Sequence, residues 1–327
     1  TGNGSTQSIT LDGDENMQPD WVWHKYRGGT GGHNLFDSVR GATKRLRTNS
    51  TGAENTGADT LTSFDSDGFS LGADTTGDGV NINGYNNVTW NWKANGSGSA
   101  NTDGSISSTV SVNTTAGFSI VKWTGTNSNG TIGHGLGTTP SLFISKSMAG
   151  SHAWGVYHKS IGIGSTTLLN SNGASDADAT YYGGTSPTST IMGLGTANAT
   201  NASGNMIGYA FAEKKGFSKF GIFTGNGNTD GAFIYTGFKP AWIMVKRSDN
   251  SSNWHIQDNK RIGYNINNYR LYADVTDAET TSGIIDFLSN GFKFRATAMN
   301  TDNGTFIYMA FAEAPLVGSN NVPCTAR

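Results

Sequence analysis

The sequence predicts an all-β protein built from three tandem β-sandwich units with a jelly-roll or lectin-like architecture. Charged residues make up only 14% of the 327 residues, and Gly, Asn, Ser and Thr are abundant. This composition suits tight turns better than helices. Short β-branched and aromatic runs alternate with Asn-Gly and Asp-Gly turn signals. The third observation is an internal repeat, because self-similarity at a fixed period marks one structural module per copy.

The repeat is a proline followed six residues later by a lysine, with an aromatic or aliphatic run between them. It occurs at residues 19–25, 140–146 and 240–246. Eight residues after each lysine come His33, Trp154 and Trp254, and four residues further come Asp37, His158 and Asp258. Each copy ends in an aromatic segment that starts at Trp90, Tyr209 and Met309. The spacing therefore defines equivalent positions in the three copies.

The repeat also sets the expected domain boundaries. Residues 1–94, 117–215 and 216–315 form the three units, 95–116 form a Gly/Ser/Thr/Asn-rich linker or exposed insertion, and 316–327 form a C-terminal tail. A shared block precedes the proline in the second and third units. Residues 1–4 match only the end of that block, at residues 224–227. The first unit is therefore expected to lack its first strand, and the chain is expected to be part of a longer polypeptide.

Two segments allow a more detailed strand prediction. Residues 118–123 alternate imperfectly between apolar and polar side chains, which indicates a strand covered on both faces. In residues 306–313 the large apolar side chains of Ile307, Met309 and Phe311 occur at every second position. Because alternate residues of a strand share a face, these three are expected to face the core.

Charge and cysteine content exclude several classes of protein. The net charge is −2, and no basic run interleaves with aromatic residues, so nucleic acid is not an expected partner. The densest basic stretch, residues 40–47, is expected to be a solvated hairpin or short helix. No apolar run approaches the length of a membrane span. A single cysteine, Cys324, excludes an intrachain disulfide.

Metal and catalytic signals are weak. The Asp-rich segments 65–68 and 74–79 have the oxygen ligands of a calcium loop, but the third unit has Leu-Ser-Asn-Gly at the position of the first segment, which favours a turn. The six histidines lack metal-site spacing. There is no Gly-x-Ser-x-Gly element and no usable Cys-His pair. We expect no metal, no cofactor and no enzymatic activity, with a carboxylate pair in one unit as the remaining alternative.

The candidate ligand-binding residues are Trp154, His158, Trp254 and Asp258. Tryptophans that recur at equivalent positions would suit stacking on carbohydrate, although burial in a core is the more common role of such residues. The recurring lysines Lys25, Lys146 and Lys246 are expected to protect a sheet edge or to pair with a neighbouring charge.

Four segments carry a resemblance to a known family: residues 35–44 (LFDSVRGATK), 61–69 (LTSFDSDGF), 133–137 (GHGLG) and 235–242 (YTGFKPAW). They are similar to a repeat module of tail-fibre and other virion structural proteins of bacteriophages, particularly those of marine bacteria and cyanobacteria. The resemblance implies a lectin-like or jelly-roll β-sandwich displayed on a virion, and it supplies no catalytic residue.

The expected function is therefore a virion structural protein, most simply a tail fibre or receptor-binding protein that contacts bacterial surface glycan. Its expected partners are other virion proteins and further copies of the chain, with a trimer as the state typical of fibres. Repeated modules suit such a role because multivalency raises avidity. A capsid-decorating or purely structural virion protein and a polysaccharide depolymerase are the alternatives.

Overall fold

The computed structural model describes residues 1–13, 15–283 and 285–312, and it confirms that the protein is all-β. Antiparallel strands make up nearly all of its regular structure. The predicted tail 316–327, including Cys324, lies outside the described residues. No helix in the described part of the chain is long and apolar enough to cross a membrane.

The first third of the chain forms a five-stranded sheet, sheet I, in the order β5-β4-β3-β2-β8, and a small sheet in the order β1-β7-β6. The strands are β1 (Gln7–Ile9), β2 (Trp21–Tyr26), β3 (His33–Asp37), β4 (Lys44–Arg47), β5 (Asn55–Thr56), β6 (Leu61–Asp65), β7 (Gly68–Leu71) and β8 (Asn87–Trp92).

The middle third forms a seven-stranded sheet, sheet II, in the order β15-β14-β13-β17-β11-β10-β9, and the pair β12-β16. Its elements are β9 (Ser99–Asn101), β10 (Ser108–Asn113), β11 (Phe118–Gly125), β12 (Gly130–Gly133), β13 (Leu142–Ser147), β14 (Gly155–His158), β15 (Thr167–Leu168), β16 (Ile191–Leu194), the short helix α1 (Asn198–Asn201) and β17 (Gly204–Phe211).

The last third forms sheet III in the order β18-β25-β20-β21-β22, and a small sheet in the order β19-β24-β23. The strands are β18 (Ser218–Thr224), β19 (Phe233–Tyr235), β20 (Pro240–Arg247), β21 (His255–Asp258), β22 (Leu271–Tyr272), β23 (Ile285–Leu288), β24 (Gly291–Phe294) and β25 (Thr305–Ala312).

The three large sheets share one strand order. The strand that follows each repeated proline, β2, β13 or β20, lies between a short hairpin partner and the last strand of its copy, β8, β17 or β25. Trp21 lies opposite Trp92, Leu142 opposite Phe211, and Trp242 opposite Phe311. Positions that are equivalent in the sequence are therefore equivalent in register. The number of independent domains stays a prediction.

One face of each large sheet packs into a single central core shared by all three sheets. The equivalent residues Trp92, Phe211 and Phe311 contact one another, with ring centroids 6.3, 5.5 and 5.8 Å apart. Such mutual contact between equivalent residues places a pseudo-three-fold axis between them. The hydroxyl of Thr48 donates to the Ala273 carbonyl at 2.7 Å. These two residues directly follow Arg47 and Tyr272, the equivalent last residues of β4 and β22, so equivalent residues of sheets I and III also contact each other at this point. The sheets thus close into a ring.

The opposite face of each large sheet packs against its own small sheet, which gives three outer cores with sandwich-like packing. β11 is covered on both faces, as predicted. Ile307, Met309 and Phe311 face the central core, also as predicted, while Phe306, Tyr308 and Ala310 pack in the outer core of sheet III.

Two local expectations are corrected. Residues 95–116, predicted to be a linker or exposed insertion, instead extend sheet II, because β10 pairs with β11 and β9 pairs with β10. The basic stretch 40–47 is not a solvated hairpin or helix, because it contains strand β4, and Arg40 and Arg45 are buried. Both arginines pair with carboxylates of Asp37, Glu54 or Asp78.

Candidate functional site

The structure places the four predicted ligand-binding residues inside the protein. Trp154, His158, Trp254 and Asp258 are 0%, 1%, 2% and 3% exposed. Buried side chains cannot stack on a glycan, so the structure supports the alternative of core packing for the tryptophans. All four residues instead contact the neighbouring sheet of the ring.

Each tryptophan donates a hydrogen bond to the backbone of the preceding sheet. The indole N–H of Trp154 donates to the Arg47 carbonyl of sheet I at 2.9 Å, and that of Trp254 donates to the Leu168 carbonyl of sheet II at 2.9 Å. Arg47 and Leu168 are equivalent residues at the ends of β4 and β15. At the third interface His33 replaces tryptophan. Its Nδ1 accepts a hydrogen bond from the indole N–H of Trp23 in its own sheet at 3.0 Å, and its buried Nε2 makes no hydrogen bond within the described residues. Burial lowers the pKa of His33 well below its ordinary value, so this histidine is neutral.

The positions four residues later form a second set of contacts in the ring. The hydroxyl of Tyr209 in β17 donates to Asp37 at 2.7 Å, and the indole N–H of Trp90 in β8 donates to Asp258 at 3.0 Å. The third position has Met309, which has no hydrogen to donate. At this interface His158 replaces the aspartate, and its Nε2 lies 3.1 Å from the carbonyl oxygen of Tyr308, the residue before Met309. Aspartate therefore occurs where the neighbouring sheet supplies a hydrogen-bond donor, and histidine occurs where it supplies a carbonyl acceptor.

An arginine three residues after each aspartate neutralises its charge. Arg40 lies 2.5 Å from Asp37 and Arg261 lies 2.6 Å from Asp258, whereas Ile161 follows His158 at the same spacing. Burial acts to lower the pKa of Arg40, but the Asp37 carboxylate more than offsets this, and the pKa lies above its ordinary value. Both carboxylates are thus occupied by structural partners.

The three recurring lysines are ring contacts, and their expected place at a sheet edge is wrong. Lys25, Lys146 and Lys246 are each 0% exposed. Their ammonium groups donate to backbone carbonyls of the next sheet in the ring, those of Thr276, Thr51 and Asn172 at 3.2, 3.0 and 3.1 Å. Thr276, Thr51 and Asn172 lie four residues after Tyr272, Arg47 and Leu168, respectively, so the three acceptors are equivalent as well. Each lysine therefore anchors its strand to the neighbouring sheet.

The buried lysines should make the free energy of unfolding depend on pH. Burial lowers the pKa of each from 10.5 to about 8. Between these values the unfolded chain binds more protons than the folded chain, so the free energy of unfolding should rise as pH increases from 7.5 to 9.5, on the order of 1 kcal/mol per lysine. Burial raises the pKa of Tyr182 and Tyr308, which opposes this trend only near pH 10 and above.

Urea denaturation across this range measures the effect. A Lys146→Met variant should show a rise smaller by about one third, because one of the three titrating groups is absent. A free energy of unfolding that is flat or falls between pH 7.5 and 9.5 in the unmodified protein would contradict the prediction.

The exposed surface includes an aromatic pair that the sequence reasoning missed. Phe233 and Tyr235 lie two residues apart on β19, so their side chains share the outer face of the small sheet beside sheet III. They are 46% and 59% exposed. We call this pair the aromatic platform. Large exposed aromatic side chains of this kind are typical of binding surfaces.

A charged cluster with fixed geometry lies on the same face as the aromatic platform. Lys293 of β24 lies directly opposite both Phe233 and Asp286 in the sheet register. Its ammonium group is 2.7 Å from Asp230, and Arg295 pairs with Asp286 at 2.6 Å. Aromatic faces therefore lie beside oriented hydrogen-bond donors and acceptors.

The small sheet beside sheet I provides an internal comparison. Ser8 of β1 lies opposite Ser70 of β7, as Phe233 lies opposite Lys293. The hydroxyls of Ser8 and Ser70 are 3.1 Å apart, and Ser70 also donates to Asp65 at 2.7 Å. Hydroxyl groups occupy the corresponding outer face there, so the fold does not require aromatic residues at this site. The signal in the sequence was the apolar run Phe233-Ile234-Tyr235, in which two aromatic residues occur two positions apart.

The Asp-rich segments have structural roles in turns. Asp67 accepts a hydrogen bond from the Met17 backbone N–H at 3.2 Å, and Asp74 accepts from the backbone N–H groups of Asp78, Val80 and Asn81. Gly68 has a φ of 113° and lies against the Ile9 carbonyl, where a side chain would clash. Over residues 1–13, 15–283 and 285–312, no group of three His, Cys, Asp or Glu side chains could hold a metal ion.

These features define an all-β protein whose recurring residues hold a ring of sheets together and whose outer surface includes an exposed aromatic platform. The chain belongs to a family described as a domain of unknown function, DUF7483, whose model matches residues 1–315. No curated protein and no solved structure matches the chain.

Proposed function

We propose that the protein is a structural component of a bacteriophage virion that binds bacterial surface glycan, as a tail-fibre or receptor-binding protein does. The aromatic platform of Phe233 and Tyr235 carries this proposal, because exposed aromatic rings beside fixed charged groups suit stacking on sugar rings and hydrogen bonding to their hydroxyls. The motifs at residues 35–44 and 61–69, which resemble phage virion proteins, also support it.

The ring of sheets supports the structural half of the proposal. Buried tryptophans, lysines and carboxylates hold every sheet to both neighbours, so the loops and the platform stand on a rigid base. Rigidity lowers the entropic cost of binding. In this proposal the protein lies on the surface of the virion, contacts other virion proteins and assembles with further copies of itself.

Glycan binding is tested with a Phe233→Ala/Tyr235→Ala double variant on arrays of bacterial surface polysaccharides and in competition with phage adsorption. The unmodified protein should bind and compete, and the double variant should bind at least roughly tenfold more weakly, a loss of about 1.4 kcal/mol. A Tyr85→Ala variant is the control, since Tyr85 is a half-buried aromatic residue that stacks on Tyr26 beside sheet I.

Each outcome has a distinct meaning. Equal binding by the double variant and the unmodified protein would overturn the role of the platform. If the unmodified protein neither binds nor competes, the adhesive half of the proposal is wrong.

A purely structural place in the virion, including capsid decoration, is the second candidate. The pseudo-three-fold axis favours it, because a single chain with this shape suits a position on a three-fold axis of a larger assembly. Labelling of purified virions with antibody against this chain, read by electron microscopy, distinguishes tail from capsid. Absence of label from intact virions would contradict both candidates.

A further inference from the structure

The last strand of sheet I has an open edge. In sheet II the equivalent strand β17 lies between β13 and β11, and in sheet III β25 lies between β20 and β18. In sheet I, β8 pairs with β2 and with no other strand of the described residues. An open strand edge presents unpaired backbone N–H and C=O groups that can pair with an added strand.

A groove of about 530 Å³ runs along this edge. We call it the β8 groove. All of residues 88–93 line it, and consecutive residues of a strand can share a groove only where the groove follows the edge of that strand. Its aromatic lining comes from Trp90, Trp92, Phe217, Trp242 and Phe311. The groove thus continues the established interface between sheets I and III, where Trp90 donates to Asp258.

Polar atoms in the lining lack partners. The indole nitrogen of Trp242, the side-chain oxygen of Asn91 and the side-chain oxygen of Asn259 are buried and make no hydrogen bond. Trp242 itself is only 5% exposed. An unpaired buried polar group is costly, so an occupant with hydrogen-bonding backbone groups is favoured over a purely apolar one.

The other two sheets show which chemistry fits this edge. In sheet II, Phe118 and Ile120 of β11 lie opposite Phe211 and Tyr209. In sheet III, Phe220 of β18 lies opposite Met309, and Ser218 lies opposite Phe311. Trp92 and Trp90 occupy the same positions in sheet I. Both sheets have a large apolar residue opposite the position of Trp90, and sheet II has a second one two residues away, opposite the position of Trp92. The pattern of sheet II therefore describes the occupant that matches two tryptophans.

We propose that the β8 groove binds an extended segment of a partner polypeptide as an antiparallel strand, with two apolar side chains facing Trp90 and Trp92. Main-chain hydrogen bonds to β8 supply affinity, and the aromatic lining supplies selectivity for the alternating pattern. The site is separate from the aromatic platform and does not depend on glycan binding.

The test uses a fluorescent peptide with the sequence of residues 117–125, Gly-Phe-Ser-Ile-Val-Lys-Trp-Thr-Gly. It should bind with a stoichiometry of one per chain in fluorescence anisotropy, and it should slow amide hydrogen exchange in residues 87–92. The control peptide has proline in place of the residues corresponding to Ser119 and Val121. It should bind at least roughly tenfold more weakly, because proline removes backbone donors and disfavours a paired strand.

An Ala241→Trp variant places a bulky side chain in the groove and should abolish peptide binding, with thermal melting used to show that the variant is folded. No binding of the peptide to the unmodified protein would overturn the proposal. Equal binding of the proline peptide would also overturn it, since it would indicate nonspecific apolar association. If the protein instead forms a concentration-dependent dimer in which the β8 amides are protected from exchange, a second copy of the chain occupies the edge. That result would overturn the proposal of a partner polypeptide.

Discussion

An Asp37→Ala variant is expected to lose about 3–5 kcal/mol of unfolding free energy, the usual cost of removing one partner from a buried ion pair. Asp37 is fully buried and lies 2.5 Å from the guanidinium of Arg40. It also accepts the hydroxyl of Tyr209 from sheet II. The variant leaves the Tyr209 hydroxyl without its acceptor and Arg40 without its closest anion, at the interface between two sheets. Denaturation in guanidinium chloride at pH 7, followed by tryptophan fluorescence, measures the loss.

The equivalent site of sheet II provides a matched control. There the three positions are His158 and Ile161 of sheet II and Met309 of the neighbouring sheet III, so a combination without a buried carboxylate already exists in this ring. A triple variant, Asp37→His, Arg40→Ile and Tyr209→Met, should be more stable than Asp37→Ala alone, because replacing a whole buried ionic cluster costs less than removing one partner. A single variant that is as stable as the unmodified protein would contradict the assigned role of Asp37.

A Phe211→Ala variant is expected to lose about 3–5 kcal/mol of unfolding free energy, the range for truncating a buried phenylalanine. Phe211 is 1% exposed at the pseudo-three-fold axis. Its ring contacts Trp92 of sheet I and Phe311 of sheet III as well as Phe118 of its own sheet, with the nearest centroid at 4.7 Å. Truncation therefore leaves a cavity that all three sheets border.

Chemical denaturation of this variant should show one cooperative transition at lower denaturant, because the sheets lose stability together. Phe233→Ala is the control, since Phe233 is 46% exposed and its truncation should change the free energy by less than about 0.5 kcal/mol. A transition that splits, with one sheet unfolding at lower denaturant than the others, would show that the axis does not couple them.

The sequence was sufficient to predict the all-β fold and the strands that carry the repeat. Period-2 alternation places Ile307, Met309 and Phe311 on one face because that periodicity is local. It could not reveal the roles of Lys146 or Trp154, because their partners, Thr51 and Arg47, belong to a distant part of the chain. A lysine at the end of a strand has the same local pattern whether it faces water or a neighbouring sheet.

The substitution pattern of the candidate positions did contain a usable signal. In the two copies that have aspartate at this position, an arginine follows three residues later. In the copy that has His158 there, Ile161 follows at the same spacing. The pattern becomes interpretable only with the partners Tyr209, Trp90 and Met309, which the pairing of the sheets identifies. The aromatic platform was missed for a different reason. Phe233 and Tyr235 alternate as core residues do, and only the structure shows which face of β19 is exposed.

The closed ring has a consequence for how the protein folds. In a linear array each end exposes a face that a specialised capping repeat must cover, and folding can spread from any neighbouring pair. Here Arg27 pairs with Glu279 across 252 residues of chain, so the last interface forms only after both ends are present. Closure over so long a separation slows folding. A chain truncated after sheet II would lose two of the three interfaces, and its exposed tryptophans would favour aggregation over a stable two-sheet intermediate.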